Sequence, residues 1–464
     1  MDDSRRVILI EFNELSASLL DRFIADGSLP NFRAFREASD VFTTDAGETG
    51  ATLVPWIQWP SVHTGLPYAE HRIYHLGDAA RAQAATIGSV LSEAGVPVGI
   101  FGGMNVPVRG VRGFRLPDPW EADARAEPAS LQPYYDVTAD QVKESSHHGR
   151  LTARDALKLA GFYARHGFRW ETALAIARQL VAERLDRGVR WRRAALFDRI
   201  QYDVFRTYAR AHGVRFSSFF SNSTAHYQHL YWRNMEPERF PDPPSGTDHP
   251  TLRDAIRDGY RAMDRLIGRF VKDFPDGTLI FATALSQEPY TGPVIRNYRP
   301  VEFGALLRFL GIERARVAPV MSQEFHLLCA DEAAARAAEA ALLALEVDGT
   351  RVFAARRDGA GVFAGCVYLD PSVMERDAVD TRTGARARFA DLFYLVDGHR
   401  SGHHHPEGVL WIRTGRGCVH PEPVSILDVA PTVLAMFGVD PPAVMHGSVL
   451  PVLGAAQRPE LVSA

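Results

Sequence analysis

Cysteine is scarce in this sequence: three in 464 residues, Cys329, Cys366 and Cys418, scattered and never in CxxC spacing. That argues against a disulfide framework and for a reducing compartment, with the thiols serving as small core-fillers. Long hydrophobic runs are absent as well. None reaches the roughly 18 to 20 apolar residues that a membrane span needs, and the opening MDDSRRVILIEFNEL has neither the apolar h-region nor the small-residue cleavage site of a signal peptide. A cytoplasmic location without membrane association is expected. Charge of one sign is also lacking. Lys and Arg number 52 against 56 Asp and Glu, a formal charge of -4, so neither nucleic acid nor an anionic membrane is an expected partner. No internal repeat and no low-complexity linker interrupts the chain, which favours one large domain with insertions over separate beads.

What is present alternates. VILIEF (7–12) has the continuous apolar character of a buried strand, and SASLLDRFIADGSLPNFRAF follows at helical spacing, with stops at Gly27 and Pro30. ATIGSVLSEAGVPVGIFGG repeats the theme, with Gly95 between helix and strand. RFSSFFS, GTLIFATAL and GVLWIRTGRG read as further strands, and SILDVAPTVLAMFG as a closing helix with Ser425 as N-cap and Gly438 past its end. The expected fold class is therefore α/β, a three-layer αβα sandwich with a mostly parallel central sheet, spanning residues 1–464 as a single domain. Two insertions are expected within it. One is helical, at 151–213, where RWRRAALFDR is read as a solvated basic face; the other is a small α+β unit at 314–369.

Active sites of such sheets lie at the carboxyl ends of strands. The polar residues at those ends form a short set: Glu11, Asn13 and Glu14 after the first strand; His226, Gln228 and His229 after RFSSFFS; Ser286 and Gln287 after GTLIFATAL. His399, His403, His404 and His405 stand just before GVLWI. If a helix starts from Thr224, with Thr224 as its N-cap, His226 and His229 lie on one face at i and i+3. With one histidine of the HHH run they would make three ligands suited to zinc or a similar ion. Trp56, Gln58 and Trp59, with His63 and the Thr64–Gly65 pair following, could form an aromatic wall for substrate; the alternative is a helix packing its tryptophans into the core.

These segments together resemble the alkaline phosphatase superfamily, in its type I phosphodiesterase and nucleotide pyrophosphatase branch. ILIEFNELSASLLDRFIADGSLPNF resembles that family's first strand and helix, and WPSVHTGLPYAEHRI its nucleophile helix. AHYQHLYWRNMEP resembles the central metal motif, and HHHPEGVLWIRTGRG with SILDVAPTVLAMFGVDPP the C-terminal ending. The resemblance implies two divalent metals, usually zinc, around a threonine or serine nucleophile. Position by position, however, the first metal aspartate falls on Asn13, the nucleophile on or beside Pro55, and the aspartate of Asp-x-x-x-His on Ala225, with its histidine on His229. The later Asp-His pair falls near Ala284 and Leu285, and the last histidine on His404. Alanine, leucine and proline side chains bind no metal, and Asn13 is a poor ligand.

The function expected is thus an enzyme with a rebuilt site, acting by hydrolysis or group transfer on a phosphorylated sugar, nucleotide-sugar or related anionic ester. Glu11, Asn13, His226, His229 and His404 are the candidate catalytic residues. Glu14, Trp56, Gln58, Trp59, Gln228, Ser286 and Gln287 are the candidate substrate-binding residues. The cofactor is left open between none and a single divalent metal such as Zn2+ on His229, His404 and His226. Acid–base chemistry without metal is preferred, because imidazoles alone leave a divalent charge uncompensated unless Glu11 supplies a carboxylate. A small anionic substrate is the expected partner, and a homodimer is left open. The alternatives are a pseudoenzyme that binds a sugar phosphate or a partner protein, and a conventional phosphodiesterase using Thr52, Ser61 or Thr64 in a shifted register.

Overall fold

The computed structural model describes residues 5–121, 124–145, 153–166, 169–244, 246, 248–292, 296–319, 323–367, 369–396 and 400–452. The chain divides into two compact units. The first comprises Met1–Val142, Arg150–Thr291 and Ser401–Ala464, and the second Lys143–Gly149 and Gly292–Arg400.

The first unit is built on one sheet. Its strands are β1 (Val7–Phe12), β2 (Ser39–Asp45), β3 (Val98–Phe101), β4 (Gly113–Leu116), β5 (Phe216–Ser221) and β6 (Thr278–Ala282), with the late strand Glu407–Arg413 between β2 and β6. Running from the β6 side, the order is β6, β1, β5, β3, β4, and every one of those neighbours is parallel. Glu407–Arg413 runs antiparallel to both β2 and β6. All six residues of β1 and of β5 are buried, so both faces of the sheet are covered. That is why VILIEF reads as an unbroken apolar run and shows no alternation. The expected α/β class with a mostly parallel central sheet holds.

Local signals explain the helix boundaries. The first helical segment breaks into Ala17–Ala25 and Pro30–Glu37, because Gly27 turns at φ 81 and Pro30 starts the second helix. Pro55 likewise opens the helix Pro55–Thr64, which Gly65 ends in the left-handed conformation at φ 63. Ser425 caps as expected, in a capping box with Asp428. Thr224 does not. The helix Ser223–Met235 takes Asn222 as its N-cap, two residues earlier than expected.

The described residues of 151–213 are largely helical and lie in the first unit. The second unit, into which 314–369 falls, has two four-stranded antiparallel sheets and the helix Glu332–Leu343, capped by Asp331, around its own apolar core. No described helix is long and apolar enough to cross a membrane.

Candidate functional site

Adjacent parallel strands β5, β1 and β6 end side by side, with Glu11 level with Phe220 on one flank and Ala282 on the other. The polar residues after β1, β5 and β6 therefore share one rim. Just past β1 the chain makes an unusual move: Glu14, a non-glycine residue, sits at φ 57. L side chains rarely adopt that region unless surrounding bonds enforce it. Here Gln228 enforces it. Its Nε2 donates to the Glu14 carbonyl at 2.6 Å, while its Oε1 accepts from the Ser16 N–H at 3.1 Å and the Tyr260 hydroxyl at 2.6 Å.

The turn aims the Glu14 carboxylate into a buried group of partners. Oε1 accepts from Asn13 Nδ2 at 2.9 Å, and Oε2 from Gln287 Nε2. The same Oε2 lies 3.0 Å from His229 Nε2 and 3.2 Å from His404 Nε2. The site helix Ser223–Met235 delivers His229. His404 arrives on the strand Gly402–His405, which pairs with Ser286–Pro289 so that His404 faces Gln287 across the ladder. One ligand atom from each of Glu14, His229 and His404 lies within 4.8 Å of the others.

Proton placement makes this group informative. His229 Nδ1 is 3.0 Å from the Gly402 carbonyl, which can only accept, so Nδ1 carries a proton. In the neutral ring Nε2 then presents a lone pair to Glu14 Oε2, also an acceptor, at 3.0 Å. Two acceptors at that distance need a proton or a cation between them. An imidazole whose other nitrogen donates to a backbone carbonyl is the usual state of a metal-ligating histidine. A tetrahedral zinc with bonds near 2.0–2.1 Å would put its ligand atoms about 3.3 Å apart, within a few tenths of an ångström of the two spacings from Oε2. The donor set of one carboxylate and two imidazoles therefore fits a single divalent ion. Burial acts to raise the Glu14 carboxyl, and the His404 and His229 rings beside it lower it further still, so it is held well below the usual carboxylate range.

Several expected site residues have other work. Glu11 pairs with buried His63 at 2.7 Å and is not the carboxylate of the Glu14 group. Asn13 spends its amide on Glu14 and on Asn222 Oδ1 at 2.7 Å, and its oxygen accepts from Trp59 Nε1 at 2.8 Å, so it acts as a strut. Trp59 and Gln58 are fully buried, Gln58 donating to the Thr52 carbonyl at 2.9 Å. Neither forms a substrate wall, and only Trp56 in that segment is half-exposed. Gln228 is buried in the turn described above, and Ser286 is buried in the ladder opposite His405. His226 is not among the ligand atoms that converge on Glu14: the residue is exposed, with its ring edge-on to Tyr231 at 6.3 Å, while desolvation and then His229 push its imidazole down to about 4. His229 turns its Nδ1 to the Gly402 carbonyl, while the His226 ring lies beside those of Tyr227 and Tyr231. Of the HHH run, His404 points inward; His403 pairs with Glu288 at 3.3 Å, and His405 Nδ1 accepts from its own turn. His399 lies outside the described residues.

No alternative nucleophile stands out among the three hydroxyls considered. Thr52 bonds Glu48 at 2.6 Å, Ser61 sits 3.0 Å from His71, and Thr64 donates to the Pro60 carbonyl at 2.7 Å. Sequence reasoning gave Glu14 a substrate-binding role and overlooked it as a ligand. The only available signal was its place three residues beyond Glu11, since the positive φ that aims it is invisible in a sequence. A second group of ligand-type atoms, Asp40, Cys418 and His420, lies at the other end of the sheet. Both Asp40 oxygens are already engaged, by His420 on one and by Thr414 and Arg416 on the other, which makes it a structural tie.

No family model and no curated protein matches the chain. Among solved structures it is similar to murine ectonucleotide pyrophosphatase/phosphodiesterase 5, at 11% identity, 96% coverage of this chain and 98% of that one, with a TM-score of 0.42. It is also similar to phosphonoacetate hydrolase from Sinorhizobium meliloti in complex with phosphonoacetate, at 15% identity, 92% and 94% coverage, and a TM-score of 0.42.

Proposed function

We propose that this chain is a hydrolase of a small anionic ester that works with one divalent metal, held by Glu14, His229 and His404. The observation that carries the reading is the convergence of one ligand atom each from Glu14, His229 and His404 within 4.8 Å, with His229 Nδ1 donating to the Gly402 carbonyl. Glu14 supplies the compensating negative charge that the expectation of metal-free chemistry lacked, which moves the preference to the metal-dependent version.

A bound zinc would supply a Lewis acid for a phosphoryl-type oxygen and lower the pKa of a coordinated water to near 7. The chain's own residues preset that centre. Gly402 fixes the His229 tautomer, Gln287 and Asn13 orient the two oxygens of Glu14, and Gln228 locks the strained turn beneath them. Thr52 and Thr64 donate to protein acceptors, and His71, whose Nδ1 accepts from the Ile73 N–H, turns its Nε2–H to Ser61 and cannot take its proton, so water is the better candidate nucleophile than a side-chain hydroxyl. Desolvation first, and then His229, pushes the His226 imidazole down to about 4, so at neutral pH it would offer an arriving substrate a hydrogen bond and no charge. Phosphorylated sugars and nucleotide-sugars are the substrate classes to try first.

The test is metal content by plasma mass spectrometry on wild type and His229→Ala, followed by a screen of phosphate mono- and diesters and nucleotide-sugars. About one ion per chain, lost in the variant together with turnover, supports the reading. A chain that takes up no metal on supplementation and turns over nothing in the screen would instead be the pseudoenzyme.

A further inference from the structure

The basic stretch RWRRAALFDR does not form a uniformly solvated face. Arg193 turns outward to Glu183, but Arg192 and Arg199 turn toward a cavity of about 310 Å³ between the helices Trp170–Leu185, Arg193–Ala211 and Ala255–Asp273. From the last of these, Arg265 and Arg269 complete a rim of four guanidinium groups, and Asp258 is the single carboxylate among the lining residues. Trp191, Leu196, Tyr227 and Leu266 supply the apolar part of the lining.

The charges at this cavity are only partly compensated: Asp203 and Glu171 act on Arg199, Asp258 and Asp264 on Arg265, and Asp186 interacts with Arg192. Arg269 reaches Asp203, which does not line the cavity, only at 3.6 Å, and Nη1 of Arg269 is buried with no hydrogen-bond partner. Arg199 gives its Nε to Thr172 at 3.0 Å, a neutral acceptor. Arg192 lies over the Trp191 ring at 5.2 Å, and Asp264, the other acid nearby, is committed to Asn31 and the Phe32 N–H. Burial first, and then the neighbouring Arg269, lowers the Arg199 guanidinium from its ordinary value. Crowded like charges of this kind are relieved by an anion, and guanidinium forks suit carboxylate, phosphate or sulfonate oxygens. The volume matches the lower end of small-molecule pockets, which are typically apolar with a few placed polar groups.

We infer that this cavity binds a small organic anion, its charged group on Arg192, Arg199, Arg265 and Arg269 and its apolar body over Trp191 and Leu266. The site is separate from the proposed metal centre, since none of Glu14, His229 and His404 lines it.

The test uses 8-anilinonaphthalene-1-sulfonate, an anion with an apolar body, in fluorescence titrations of the full chain. Binding should be saturable at one per chain. It should weaken at least about tenfold in Arg192→Glu/Arg265→Glu, as loss of one or more charge-assisted hydrogen bonds requires. Ala262→Leu, which narrows the cavity without touching charge, should weaken it as well, with far-UV circular dichroism and Tm near wild type in both variants. His229→Ala should leave it unchanged, so failure of the metal reading and failure of this one are told apart. Non-saturable binding, equal affinity in the charge-reversed and narrowed variants, or loss in His229→Ala would each overturn the assignment.

Discussion

Replacing Glu14 with Gln keeps the shape of the side chain and removes the only carboxylate from the Glu14, His229 and His404 group. The amide oxygen can accept from only one of the two donors, Asn13 Nδ2 and Gln287 Nε2, and the side chain presents no charge to the two imidazoles, whose Nε2 atoms lie 3.0 and 3.2 Å from Oε2. Loss of an outer-shell partner alone costs roughly 10–100-fold in metal affinity, so loss of a charged ligand should cost at least about 100-fold. The consequence for stability follows from mass action. At a zinc concentration 100 times the wild-type Kd, binding stabilises the native state by ~2.7 kcal/mol, and a variant with 100-fold weaker affinity gains only ~0.4 kcal/mol. With about 2.1 cal/mol/K per residue over a unit of roughly 350 residues, those figures become a Tm rise of about 4 °C for wild type and about 0.5 °C for Glu14→Gln. Differential scanning calorimetry with and without zinc, at a free-ion concentration set by a chelator buffer, reads both numbers. An equal zinc-dependent rise in the two proteins would refute Glu14 as a ligand. No rise in wild type, with a nitrilotriacetate-buffered series extending to millimolar zinc, would refute the site itself.

Other perturbations check other parts of the reasoning. Burial pushes the Asp198 carboxyl up to about 7 from an ordinary value of 3.8. A raised folded-state pKa means that stability is lost as pH rises from about 4 to about 7, by at most on the order of 4 kcal/mol. Asp198→Asn should abolish that slope and exceed wild type in urea melts at pH 8; an unchanged slope would assign the pH dependence elsewhere. A Cβ at Gly402 would stand 2.4 Å from Gln287 Oε1 and 2.7 Å from the Gln228 carbonyl oxygen. Gly402→Ala should therefore disturb both the Glu14 donor and the site helix, lowering metal affinity and kcat/KM by roughly 10–100-fold, and a wild-type kcat/KM would count against that packing. Trp59→Phe strands the Asn13 Oδ1 acceptor and should cost about 1–3 kcal/mol in chemical denaturation. Thr52→Ala should leave turnover at wild-type level, and covalent trapping of substrate on Thr52 would contradict water as nucleophile.

The sequence by itself determined the α/β alternation and the rim on which the site stands. VILIEF, RFSSFFS and GTLIFATAL declare themselves because strands buried on both faces read as near-continuous apolar runs, broken here only by small or paired polar residues such as Ser217, Ser218 and Glu11. Gly27, Pro30, Gly65, Gly95 and Gly438 mark the ends of helices through backbone constraints that belong to the residue type. His229 and His404 were legible because each stands beside a strand end. Only the tertiary structure decided which carboxylate joins them. Glu11 and Glu14 are chemically alike and three residues apart, and the choice between them rests on a left-handed turn held by Gln228, 214 residues away along the chain. The same holds for His226 and His229, whose helical spacing is compatible with a shared site until Gly402 orients the His229 ring toward Glu14 and His404. Long-range hydrogen bonds carry no local signature, so the roles of Asn13, Trp59 and Gln287 as supports, and the convergence of Arg192 and Arg199 with Arg265 and Arg269 around one cavity, exist only once the chain has folded.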